Sequence, residues 1–134
     1  MSTTPDGARL NELSHVIIGA ALRVHTELGP GMLESAYESC LFFELVDAGL
    51  GVQRQKALPL VYRGQRMNCG YRLDLLVNEM IIVEVKAIER LQRIHSAQVL
   101  SYLRQTKLRL GLLFNFNEKW LQDGTRRIVN DFPE

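Results

Sequence analysis

Apolar residues recur along this chain with two periods, and the switch between them marks out its elements. Leu10, Leu13, Val16, Ile17, Ala20, Ala21, Val24 and Leu28 fall at helical spacing. That spacing predicts a first helix ending at Leu28-Gly-Pro-Gly, where Gly29 can cap and Pro30 cannot continue. A second helix is expected from about Gly31 or Met32. Its apolar face is Leu33, Tyr37, Cys40, Leu41, Leu45 and Ala48, and Gly49 or Gly51 ends it. The period then shortens. Residues 52–55 read as a short extended stretch, and 58–62 and 67–69 flank Arg63-Gly64-Gln65, a hairpin turn with Gly64 at positive φ. Residues 73–77 and 80–85 are apolar on both faces, as in central strands covered by helices. A third helix is expected from about His95 to Gln105, with Ala97, Leu100 and Leu103 among its apolar positions. Residues 110–116 form a further strand, apolar throughout, and 125–132 add an edge strand.

This order, with a helical crossover between Glu84 and Leu110, predicts an α/β fold: a mixed central sheet flanked by helices on both faces. Strands 80–86 and 110–116 would be parallel neighbours. A length of 134 residues suits a single domain with one core, and no repeat, low-complexity segment or linker interrupts it.

Composition narrows the class. Hydrophobic content of 46% and charged content of 23% read as globular and soluble. No apolar run approaches the roughly 20 residues that span a bilayer, so no membrane partner is expected. Met-Ser-Thr-Thr-Pro-Asp-Gly has no charged-then-apolar signal pattern, which points to a cytoplasmic protein. Cys40 and Cys69 lie far apart, which reads as two structural thiols in a reducing compartment and too few for a zinc or iron-sulfur site. His15, His25 and His95 are too scattered for a ligand set. Net charge is only +1, but it is unevenly spread. The first third carries Asp6, Glu12, Glu27, Glu34, Glu38, Glu44 and Asp47 against Arg9 and Arg23. The stretch from Glu84 carries Lys86, Arg90, Arg93, Arg104, Lys107 and Arg109 against Glu84 and Glu89. A basic flank beside an acidic site suits a phosphate backbone; solvated helix and loop charges would look the same.

The chemistry concentrates in two strands. Asp74 sits in Tyr-Arg-Leu-Asp-Leu-Leu-Val, and Glu84-Val-Lys86 in Met-Ile-Ile-Val-Glu-Val-Lys-Ala. Ionised groups in runs this apolar are costly unless paired or holding a metal. Side chains alternate along a strand, so Glu84 and Lys86 share one face. The loop between the strands decides the rest. A two-residue turn at Asn78-Glu79 would pair Asp74 with Val83 and separate the carboxylates. A three-residue loop at Asn78-Glu79-Met80 would pair Leu76 with Ile82 and bring Asp74 beside Glu84, and this odd-numbered loop is the expectation. Two carboxylates and an ammonium on one face can bind a divalent metal and cut a phosphodiester. A solvated Glu-Lys pair on a half-exposed strand is the ordinary alternative.

Further motifs carry a resemblance. Gly31-Met-Leu-Glu34-Ser-Ala-Tyr37 is a Gly-x-x-Glu-x-x-Tyr motif. It follows His25-Thr-Glu-Leu-Gly-Pro and precedes Tyr71-Arg-Leu-Asp74, Glu84-Val-Lys86 and Gln98-Val-Leu-Ser-Tyr102. In that order and spacing, from about Leu13 to Phe116, the chain closely resembles the GxxExxY protein family of the PD-(D/E)XK nuclease superfamily. The resemblance implies a restriction-endonuclease-like α/β/α core within about residues 10–116 and a nuclease acting on DNA or RNA. It places the motif aspartate on Asp74, the (D/E)-x-K pair on Glu84 and Lys86, the helical glutamate on Glu34, and the Gln-x-x-x-Tyr motif on Gln98 and Tyr102. Leu73 stands where the superfamily usually writes proline.

In that reading Asp74 and Glu84, with the Val85 carbonyl and waters, hold Mg²⁺ or Mn²⁺, and Glu34 reaches the metal or a metal-bound water from the second helix. Lys86 orients the attacking water and stabilises charge on the phosphate. Gln98 and Tyr102, at i and i+4 on one helix face, hold the phosphate or support Lys86. Tyr37 packs in the core with its hydroxyl bonded nearby, and Gly31 lets the backbone turn tightly into the helix. Such nucleases often work as dimers or beside a protein partner, and an exposed edge strand near Val52 or Ile128 is one route to pairing. A binding module for nucleic acid or protein that retains the fold without catalysis is the competing expectation.

Overall fold

Asp6 opens the first helix in the computed structural model, which describes residues 6–133. The stretch read above for a signal pattern lies mostly in residues 1–5, outside the described residues. The Asp6 carboxylate accepts the Arg9 amide at 2.7 Å, pairing a donor that a helix start leaves free. Helix α1 (Gly7–Leu28) therefore begins about a turn before the apolar periodicity, because its cap is a polar signal. It ends at Gly29, whose φ of +66° favours glycine.

Helix α2 (Glu34–Asp47) starts later than Gly31 or Met32. The Tyr37 hydroxyl donates to the Gly29 carbonyl and accepts the Met32 amide at 3.0 Å. This holds residues 29–32 in a turn, with Gly31 at φ +103°, and delays the helix to Glu34. Tyr37 is fully buried and stacks on Phe116 at 4.7 Å, so both expectations for it are met.

Strands β1 (Val52–Tyr62) and β2 (Gln65–Val77) each run unbroken where the apolar pattern predicts shorter pieces. Hydrogen-bonded pairing continues through their polar residues, which carry no alternating signal. Arg63 and Gly64 form the turn between them, at φ +52° and +78°. Strand β3 (Ile81–Lys86), helix α3 (Arg93–Thr106), strand β4 (Leu110–Asn115), a single 3₁₀ turn (Leu121–Gly124) and strand β5 (Thr125–Val129) complete the chain. The sheet order is β1-β2-β3-β4-β5, with β3 and β4 parallel and the other pairs antiparallel. Val52 and Ile128 thus lie on the two edge strands.

Helices cover both faces. Helices α1 and α2 pack on Leu75, Val77, Ile81, Val83, Val85, Leu110, Leu112 and Phe114. Helix α3 packs through Val99, Tyr102 and Leu103 on Leu73, Ile82 and Leu113. Ala97, expected on its apolar face, is exposed, because the buried stripe is rotated toward Val99. The helix lies so close to β4 that a Cβ on Gly111 would come within 2.6 Å of Val99. Cys40 packs at the margin of the α1–α2 core. Cys69 is exposed on β2, so it is not the structural thiol that its distance from Cys40 suggested. Among the described residues no helix is long and apolar enough to cross a membrane.

Candidate active site

The β2–β3 loop has three residues. Leu75 pairs with Val83, Leu76 with Ile82 and Val77 with Ile81. Asn78 and Glu79 take φ of +51° and +55°, which permits the tight reversal. One step further along, Asp74 meets Glu84. The Asp74 amide donates to Glu84 Oε1 at 3.2 Å, and the Val85 amide donates to Asp74 Oδ2 at 2.8 Å. Glu84 is only 6% exposed. Burial, then the charge and the side-chain hydrogen bond of Asp74, push its carboxyl up to about 9, while the Asp74 amide and the Lys86 charge pull the other way. Without a cation, the Glu84 carboxyl therefore keeps its proton at neutral pH.

Asp74 is also held from β1. Gln55 lies between the pairs Arg54–Leu75 and Lys56–Leu73, opposite Asp74. Its φ of +49° is rare for a residue with a side chain inside a strand. From there its amide donates to Asp74 Oδ1 at 3.3 Å and to Glu38 Oε1 at 2.7 Å. Arg54 closes the cluster on Glu38 Oε2 at 3.0 Å, and Arg72 donates to the Gln55 carbonyl at 3.2 Å. Glu38 is buried, and its charge is satisfied by these two donors. The sequence carried one signal for Glu38, its i+4 spacing from Glu34 on the same helix face. Gln55 had none, because its role depends on a backbone angle.

The remaining predicted residues surround this pair unequally. Lys86 is half-buried at the end of β3. Its backbone is fixed: its carbonyl accepts the Phe116 amide at 2.9 Å, and buried Asn115 bonds both the amide and carbonyl of Ile88. Among the described residues it forms no ion pair with Asp74 or Glu84. Glu34 is exposed as a residue, yet its carboxyl end is partly desolvated. That loss of solvent raises its pKa, with Lys86 drawing it down and Asp74 adding to the rise. Tyr102 is buried with its ring 5.9 Å from that of Tyr71. Its hydroxyl is raised chiefly by burial and then by the Glu84 charge, so it stays protonated and can donate. Gln98, one turn earlier, is exposed.

Among the described residues no three Asp, Glu, His or Cys side chains close on a point that a metal could occupy. Glu34 opens α2 as an exposed residue, with its carboxyl within the influence of the Lys86 and Asp74 charges. The donors that do converge still fit a hard divalent cation. Mg²⁺ keeps several waters and takes one or two carboxylates, and the buried, protonated Glu84 carboxyl beside half-buried Asp74 is a site where a cation can replace that proton.

A family model described as the PD-(D/E)XK nuclease superfamily matches residues 11–128. No curated protein and no solved structure matches the chain. The match covers every helix and strand from α1 to β5 except their outermost residues, and it spans Asp74, Glu84 and Lys86. The chain belongs to the PD-(D/E)XK nuclease superfamily.

Proposed function

We propose that this protein hydrolyses phosphodiester bonds of nucleic acid, with a divalent metal, at Asp74 and Glu84, and that it falls in the GxxExxY group of its superfamily. One observation carries the reading: two carboxylates held against each other, Glu84 buried and Asp74 half-buried, with no ion pair to either among the described residues. Asp74 and Glu84, with the Val85 carbonyl, would hold Mg²⁺ or Mn²⁺, which supplies Lewis acidity and a nucleophilic water at neutral pH.

The chain's own groups do the rest. Val85 N–H and Gln55 fix the two oxygens of Asp74, so the carboxylate needs no reorganisation when substrate arrives. Glu38 fixes Gln55. Lys86, on a strand end pinned by Asn115 and Phe116, places its ammonium to offset charge growing on the phosphate. Protonated Tyr102 is a donor for a phosphate oxygen or for Glu84. Glu34 orients water at the solvent side, and Gln98 meets the substrate backbone.

The test is cleavage of plasmid, linear duplex, single-stranded DNA and RNA with Mg²⁺, Mn²⁺ or EDTA, with Asp74→Ala purified identically alongside. Cleavage by wild type with metal, lost in the variant and in EDTA, is the expected result. The absence of a third acidic ligand among the described residues favours a second reading, a binding module that retains the fold. In that case no substrate distinguishes the two proteins, and binding is indifferent to divalent metal.

A further inference from the structure

Between the acidic first third of the chain and the basic stretch from Glu84 lies a run, residues 48–73, without one acidic side chain. It carries Arg54, Lys56, Arg63, Arg66 and Arg72. Arg54 is spent on Glu38, but the other four are exposed and form no ion pair among the described residues. Four cations on one element exceed what its surroundings neutralise.

The fold sets these cations on an unusual element. Pairing with β3 reaches only residues 75–77 of β2, so the outer parts of β1 and β2 leave the sheet as a two-stranded ribbon. Every residue of β2 from Gln65 to Arg72 is exposed. At a rise of about 3.3 Å per residue, the ribbon projects roughly 20 Å. A register shift between Pro59 and Leu60 bends it part-way along. A free ribbon of two strands is marginal in water, and this one is buttressed only at its base, where Leu58 and Leu73 join the α3 core. At that base β2 runs straight into the site: Arg72 is two residues from Asp74.

We infer that this ribbon is an arm that enters a groove of duplex DNA and delivers the adjacent phosphodiester to Asp74 and Glu84. The inference rests on the nuclease reading and adds the substrate class. A two-stranded ribbon fits the B-form major groove, about 12 Å wide, whereas the A-form groove of duplex RNA is too deep and narrow. Single strands are tracked by grooves lined with aromatic platforms, and the arm is a projection. Val61 and Tyr62 at the tip are 60% exposed and would suit a protein partner on apolarity alone. Two copies meeting through these arms would, however, oppose cation to cation with no acid between. Phosphates answer that charge.

The test is binding in EDTA, by fluorescence anisotropy, to duplex DNA, its single strand and the duplex RNA of the same sequence across a salt series. Wild type is expected to prefer duplex DNA. Each phosphate contact contributes about 0.9 to the salt slope, or about 8-fold in affinity at about 0.1 M salt. The variant R63A/R66A is therefore expected to lower the slope by about 2 and weaken binding several tens of fold, with unchanged thermal unfolding. R126A/R127A, an equal charge change on the opposite edge strand β5, leaves the slope intact. The charge reversal R63E/R66E gives a second reading if the first variant is destabilised, and it must weaken binding further. Equal loss in R63A/R66A and R126A/R127A, or equal affinity for the single strand or duplex RNA, overturns the inference. So does a change of oligomeric state on replacing Val61 and Tyr62 with serine while DNA binding persists. Arm-dependent binding without cleavage would leave the arm standing and remove only the nuclease.

Discussion

Replacing Glu84 with glutamine is expected to stabilise the metal-free protein while abolishing its metal-dependent activity. Glu84 is 6% exposed and lies against Asp74, and its carboxyl is pushed from 4.5 up to about 9. At pH 7 it is protonated when folded and ionised when unfolded. A carboxyl whose folded pKa is raised contributes stability that is complete below about pH 4.5 and drains away as pH climbs to about 9. At pH 7 the unfolded chain has gained about 2.5 pH units of ionisation, or about 3 kcal/mol at roughly 1.4 kcal/mol per unit. That figure depends on the folded pKa only in that it stays above the assay pH. Glutamine mimics the protonated acid: its oxygen accepts the Asp74 amide, its nitrogen donates to the Asp74 carboxylate, and it has no proton to lose on unfolding. In urea titrations with EDTA, wild-type stability should fall toward alkaline pH while Glu84→Gln lacks that slope, the two curves converging near pH 4.5. Saturating Mg²⁺ should restore wild type alone, since a ligand stabilises only the state that binds it. Parallel curves from pH 5 to 9 would refute the reasoning, because Glu84 would then be ionised throughout.

Gln55→Ala removes a donor from Asp74 and from Glu38; a 10–100-fold loss of kcat, with nucleic-acid affinity in EDTA unchanged, is expected from steady-state kinetics and anisotropy. Tyr37→Phe deletes the hydroxyl that holds the turn before α2, which should cost about 1–2 kcal/mol in urea unfolding. Gly111→Ala places a methyl within 2.6 Å of Val99, and the overpacking should lower stability by about 1–3 kcal/mol without altering the salt slope of DNA binding.

The halves of the site differed in how far the sequence exposed them. The odd-numbered loop between β2 and β3 was legible because register is a parity problem: apolar runs on both sides and a Gly-free Asn-Glu-Met linker left two choices, which put Glu84 either beside Asp74 or on the other face. Observed pairing of Leu76 with Ile82 selects the first. The Gly-x-x-Glu-x-x-Tyr motif was equally visible: Tyr37 braces the turn before α2 through its hydroxyl, and the Glu34 carboxyl lies within the influence of Asp74 and Lys86.

Local periodicity was enough to determine the order of elements and the mixed sheet with helices on both faces, and it narrowed the β2–β3 register to two choices, one of which brings the carboxylates together. These depend on neighbours in sequence or on the two-fold and 3.6-fold repeats of side chains. Tertiary structure alone decided that Gln55 and Glu38 brace Asp74, that Gly111 admits α3 against the sheet, and that β1 and β2 outrun β3 as a cationic arm. A positive φ in a strand, a close helix approach and the length at which pairing stops are set by contacts between distant segments, and no residue pattern along one segment records them.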